Sequence, residues 1–156
     1  MDWEKHFKKY VWDEDKTPYF ISVSKLNRRQ ASNEIFIFAL FIGTLFCVVA
    51  LLANTGALPH GRSFGVALYG FTMVCATIIF AFTKHPLAAW YCGLAPLAAL
   101  AYFYLFGFHP NSSATDHVVI LVLVGLWLRY SWRVVNIGMG FDAMPEGEAK
   151  KKHHDW

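Results

Sequence analysis

Four apolar stretches, each long enough to cross a lipid bilayer as a helix, dominate this sequence. They are residues 35–53, 63–83, 87–108 and 117–135, and the first three contain no Asp, Glu, Lys or Arg. A helix rises about 1.5 Å per residue, so about 20 residues cross the roughly 30 Å of hydrocarbon in a bilayer. Because backbone polar groups find no partners in lipid and the alternating strands of a barrel are absent, these stretches must be helices. The sequence predicts an all-α membrane protein with four transmembrane helices.

The loops between the stretches are short, with nine, three and eight residues. Loops of this length join neighbouring antiparallel helices, so we expect an up-down-up-down bundle over residues 35–135. An N-terminal arm (1–34) precedes this bundle, and a C-terminal tail (136–156) follows it. Pro96, inside the third stretch, lacks the N–H that would bond to the carbonyl of Cys92. We therefore predict a bend in the third helix.

The basic residues predict the orientation of the bundle. Of the 14 Lys and Arg residues, only Arg62 falls on one side of the predicted membrane, and the others lie in the arm, at Lys84, or in and beyond the fourth helix. Segments rich in Lys and Arg stay in the cytoplasm, so both termini are expected there. We expect a multi-pass protein of the bacterial cytoplasmic (inner) membrane. Its basic residues would contact anionic lipid headgroups rather than nucleic acid.

The N-terminal arm contains a short amphipathic pattern. Trp3, Phe7 and Tyr10 recur at helical spacing, and charged residues occupy the opposite face. This pattern predicts an interfacial helix, which either anchors the arm in the headgroup layer or docks on a partner subunit. Ser24 is a candidate N-cap for a helix that continues into the first span. The candidate partner-binding residues of the arm are Trp3, Phe7, Tyr10, Trp12, Tyr19 and Phe20.

Two arginines in the fourth helix form the first candidate site. Only 11 uncharged residues separate His117 from Arg129, which is about 17 Å of helix, so a spanning helix must carry Arg129 into the hydrocarbon region. A buried arginine is costly and is expected to snorkel, to pair, or to serve a function. Glu34, at the start of the first span, is its candidate ion-pair partner. Together with Arg133, these residues are candidates for an ion pair or for binding a lipid headgroup or anionic ligand.

Four residues on the opposite side form the second candidate site. His60 lies in the first loop, His109 and Asp116 lie in the third loop, and His117 starts the fourth helix. Histidine with carboxylate is a ligand set for zinc, copper or iron. The spacing matches no compact metal motif, so ordinary interfacial histidines are the alternative. Contact of these histidines with a quinone or a haem is a further alternative. The sequence implies no cofactor firmly.

The motifs of nucleotide binding and hydrolysis are missing from the sequence, which contains no phosphate-binding loop, dinucleotide fingerprint or Gly-x-Ser-x-Gly. We therefore expect a non-enzyme. The first hypothesis is a small accessory or assembly subunit of a larger membrane complex, such as one of energy transduction, with membrane lipids and other subunits as partners. The second is a membrane protein that binds a metal, quinone, haem or lipid headgroup through the outer histidines or Arg129. The third is a small carrier or channel.

Overall fold

The computed structural model of the protein describes Tyr19 and residues 21–58, 61–109 and 111–146. In these ranges all regular structure is helical, and no strand occurs. Four helices are long and apolar enough to cross a membrane, namely Arg28–Thr55, Phe64–Thr83, Pro86–Phe106 and Ala114–Ala143. This confirms the prediction of a helical protein with four helices that could span a membrane. These helices indicate a multi-pass membrane protein.

The first helix, α1, spans Arg28–Thr55 and begins at a capping box. The Asn27 side chain accepts from the backbone N–H of Gln30, and the Gln30 side chain accepts from that of Asn27. Two otherwise unpaired N–H groups are thereby satisfied, which fixes the start of the helix. Ser24 is not the N-cap, because it lies in a short 3-10 turn, Val23–Lys25. The helix continues unbroken into the apolar stretch, as the sequence predicted.

The second helix, α2, spans Phe64–Thr83 and ends at Lys84, whose φ of 54° is left-handed. Glycine adopts such a conformation far more readily than lysine does. The Lys84 ammonium donates to the carbonyl of Ala81 in the last turn of α2, and this contact caps the helix end. Partial burial lowers the pKa of Lys84 below its usual value.

The third span is interrupted, which gives two helices, α3 (Pro86–Gly93) and α4 (Ala95–Phe106). Pro86 occupies the first turn of α3, where its missing N–H costs nothing. Leu94 separates the two helices, and the N–H of Leu97 bonds to the Leu94 carbonyl at 3.0 Å. The bend predicted at Pro96 is thus a break that lies two residues earlier.

The last long helix, α5, spans Ala114–Gly140 and is followed by a 3-10 turn, Phe141–Ala143. Its start is a capping box between Ser113 and Asp116. The helix extends three residues before and five residues beyond the predicted apolar stretch 117–135. Helical structure therefore continues past both arginines, because no proline interrupts it and Gly125 and Gly138 are tolerated within the helix.

Small residues set the closest helix contacts. A Cβ atom added at Gly70 of α2 would lie 2.9 Å from the Cβ of Ala50 in α1. A Cβ added at Gly93 of α3 would lie 2.3 Å from a methyl of Val135 in α5. These distances are too short for any side chain, so the backbones approach closely, as small residues allow in membrane helices. In contrast, α4 packs mainly on α5 and has little contact with α1 and α2.

Candidate functional site

A buried ion pair joins the start of α1 to α5. The Arg133 Nε atom donates to Glu34 Oε1 at 2.6 Å, and its Nη2 atom donates to Oε2 at 3.1 Å. The Glu34 side chain is 0% exposed and that of Arg133 is 19% exposed. Two parallel charge-assisted bonds at low exposure form a strong, directional contact. We call the surrounding end of the bundle, where α1 begins and α5 ends, the charged end.

The flanking segments are attached at the same charged end. The Arg133 Nη1 atom donates to the carbonyl of Ile21, at 2.6 Å, in the segment that precedes α1. Arg28 donates through Nη2 to the carbonyl of Asp142 at 2.6 Å and through its backbone N–H to that of Pro145 at 3.0 Å. Its Nη1 atom also lies 3.6 Å from a carboxylate oxygen of Glu146. The segments before α1 and after α5 are therefore held together through arginine contacts.

Arg129 lies apart from this network. The sequence suggested Arg129 as the partner of Glu34, but Arg133, one turn later, takes that place. Ser131 is wholly buried, and Arg129, two residues away, is rotated by about 200° around the helix and is exposed. Among the described residues it has no hydrogen bond or ion-pair partner. Arg129 therefore presents its charge outward from α5.

The histidines of the third loop have local partners. His117 Nε2 lies 2.7 Å from Ser112 Oγ, and the His117 ring stacks on Phe108 with 4.1 Å between the ring centroids. His109 is exposed, and its Nδ1 accepts from the backbone N–H of Asn111. In the capping box of α5, the Asp116 carboxylate accepts from the backbone N–H of Ser113, and the Asp116 N–H donates to Ser113 Oγ. These contacts explain the loop conformation without a ligand.

A metal site is not assembled in the described part of the chain. Within it, no three His, Cys, Asp or Glu side chains are grouped so as to hold a metal ion. His60, the fourth member of the predicted set, lies outside the described residues, so the metal prediction stays a prediction.

The predicted partner-binding residues of the arm are mostly outside the described ranges. Trp3, Phe7, Tyr10, Trp12 and Phe20 lie there. Tyr19 is described and is half-buried.

An apolar pocket, which the sequence analysis missed, lies between α4 and the other spans. Its volume is about 510 Å³, and it is partly open to the surroundings of the bundle. Aromatic rings and aliphatic side chains line it, and its polar groups are few. The lining includes Leu45 and Val49 of α1, Val66 of α2, Ala98 and Phe103 of α4, and Trp127 of α5. The signals in the sequence were Pro96, from which we expected only a bend, and the aromatic-rich run of residues 102–106.

Comparison of the chain with protein-family models, with curated protein sequences and with solved structures finds no match. The function must therefore be argued from the site itself.

Proposed function

We propose that this protein is a non-catalytic accessory or assembly subunit of a larger membrane complex, with complexes of energy transduction as the first candidates. The outward-facing charge of Arg129 carries the proposal. An unpaired arginine at the centre of a membrane helix costs about 2.5–3.5 kcal/mol on insertion scales. An acidic side chain on a neighbouring subunit would lower that cost by pairing with it.

The surroundings of Arg129 support a lateral interface. Trp132 and Asn136 follow at i+3 and i+7 and are also exposed, so the three side chains lie along one face of α5. Arginine and tryptophan are enriched in protein interfaces, and interhelical hydrogen bonds contribute to helix association in membranes. Arg133 and Glu34 neutralise each other within the chain. Arg129 is thus the charge in α5 that is left to recognise a carboxylate.

The proposal includes a topology. We infer that the four helices alternate in direction, with both termini in the cytoplasm and Arg62 on the opposite side. The membrane we propose is the bacterial cytoplasmic (inner) membrane. The distribution of Lys and Arg supports this orientation, and the attachment of both flanking segments at the charged end agrees with it. The arm and tail would then extend the docking surface into the cytoplasm.

The test is extraction of native membranes in mild detergent followed by native mass spectrometry. We expect wild-type protein in a complex of fixed stoichiometry, and we expect Arg129→Leu to be released as a lone chain with its thermal unfolding unchanged. Leu123→Ala, which alters a side chain that is 58% exposed on another face of the same helix, is the matched control and should keep the complex.

Two results would oppose the proposal. If the wild-type chain is extracted without protein partners, it is not a subunit of a stable complex. If Arg129→Leu keeps its partners and loses only a bound phospholipid mass, Arg129 binds a lipid headgroup instead.

The second candidate function is binding of an apolar membrane molecule. The pocket beside α4 is the specific observation that favours it.

A further inference from the structure

We propose that the apolar pocket holds one acyl chain of a membrane phospholipid, whose headgroup remains at the membrane surface. This site is independent of the proposed interface at Arg129. It would bind lipid whether or not the protein joins a complex.

The chemistry of the walls selects a hydrocarbon chain. No charged side chain lines the pocket among the described residues, and its polar side-chain groups belong to tyrosine and tryptophan, including Tyr69 and Tyr102. A charged headgroup or a metal ion would find no compensating partner here, because burial of an unpaired charge is very costly. Among the described residues, the pocket lining offers three side-chain donors, the hydroxyls of Tyr69 and Tyr102 and the Nε1–H of Trp127. A saturated or singly unsaturated hydrocarbon chain requires no hydrogen-bond or charged partner.

The break in the third span creates the space. Gly93 holds α3 against Val135 of α5, whereas beyond Leu94 the next helix, α4, packs mainly on α5 and leaves a gap towards α1 and α2. The volume of about 510 Å³ is within the range of about 300–1,000 Å³ for small-molecule sites. Protein interiors are close-packed, and an empty gap of this size forfeits dispersion contacts on every wall. In a bilayer, the molecules at its partly open side are acyl chains.

Photolabelling of the full chain tests this site. The protein is reconstituted in vesicles of palmitoyl-oleoyl phosphatidylcholine that contain a small fraction of phosphatidylcholine with a diazirine midway along one acyl chain. After irradiation, labelled residues are identified by peptide mass spectrometry. We expect a several-fold excess of label on the pocket side of α4 and on Trp127 over the exposed face of α5 at residues 118–123. Even labelling of all exposed helix faces would overturn the proposal.

Filling the pocket provides a second measurement. Ala98→Phe adds a ring inside the pocket and should reduce its labelling several-fold. Leu97→Phe changes the preceding residue of α4, which is 44% exposed and outside the lining, and should leave the labelling unchanged. Val49→Phe fills the pocket from the opposite wall and decides the question if Ala98→Phe does not fold. Pocket labelling that survives both filling variants would refute the site.

A parallel set of vesicles carries a diazirine on a prenyl chain in place of the acyl chain. Weaker pocket labelling by this probe is the expected result. If the prenyl probe labels the pocket more strongly, and excess unlabelled phosphatidylcholine does not suppress it, the occupant is an isoprenoid and the acyl-chain assignment is wrong.

Discussion

Glu34 and Arg133 lie 99 residues apart in the sequence and form a two-bond ion pair with contacts of 2.6 and 3.1 Å. The pair joins the first and last long helices where α1 begins. Through the Ile21 carbonyl, Arg133 also holds the segment that precedes α1. One arginine of α5 therefore contacts both the first turns of α1 and the segment that precedes this helix.

Removing one member of this pair should strongly destabilise the bundle. Glu34→Ala leaves Arg133 without its carboxylate, and the loss of one partner of a buried pair costs about 3–5 kcal/mol. The double variant Glu34→Leu/Arg133→Met should recover much of that loss, because neither charge remains buried. Unfolding in mixed detergent micelles with rising dodecyl sulfate measures the effect. Arg129→Met, which changes the exposed arginine one turn away, is the control and should stay near wild type.

The sequence predicted four apolar helices and candidate partners for an ion pair, because residue type and spacing determine these features. It did not identify which arginine meets Glu34. Arg129 and Arg133 are one turn apart, and the choice depends on the tilt and rotation of α5 against α1. The helix ends also differed from the apolar stretches, since capping at Asn27 and Ser113 starts helices outside them. The apolar pocket depends on how far α4 diverges, and no local pattern encodes that distance.

Added volume at Gly93 should loosen the contact between α3 and α5. Gly93→Ala would place a methyl 2.3 Å from the side chain of Val135, and overpacking of this kind costs about 1–3 kcal/mol. A second substitution, Val135→Ala, should restore part of the stability by making room. Gly65→Ala is the matched control, because no heavy atom lies within 4 Å of its added Cβ. Equal losses for Gly93→Ala and Gly65→Ala in the same unfolding titration would contradict the close contact.

The hydroxyl of Tyr91 should contribute little to stability. It lies 2.7 Å from Thr72 Oγ1 and links α3 to α2. Thr72 also donates to the carbonyl of Tyr69 at 2.9 Å, so it keeps a partner when Tyr91 is changed. Hydrogen bonds between membrane helices average about 0.6 kcal/mol, and we expect Tyr91→Phe to cost that much. Tyr104→Phe, at a side chain 89% exposed, should have no measurable effect in the same titration.

Pro96 should maintain the break between α3 and α4. Its missing N–H removes a bond to the Cys92 carbonyl, and the next N–H, of Leu97, bonds three residues back rather than four. Pro96→Ala restores a donor and the normal helical geometry, so we expect a straighter third span and a smaller apolar pocket. Spin labels at Leu105 and Leu51, both exposed, would report a changed distance by pulsed electron resonance.

The same variant links the break to the pocket. Photolabelling of the α4 wall by the acyl-chain probe should fall together with the change in the Leu51–Leu105 distance. Leu97→Ala keeps the proline and removes a neighbouring exposed side chain, so neither measurement should change. If Pro96→Ala leaves the Leu51–Leu105 distance distribution as in wild type, the missing N–H is not what holds α4 away from α1. The close packing of Gly93 on Val135 then sets the direction of α4. Gly93→Ala would then be the substitution that changes the pocket.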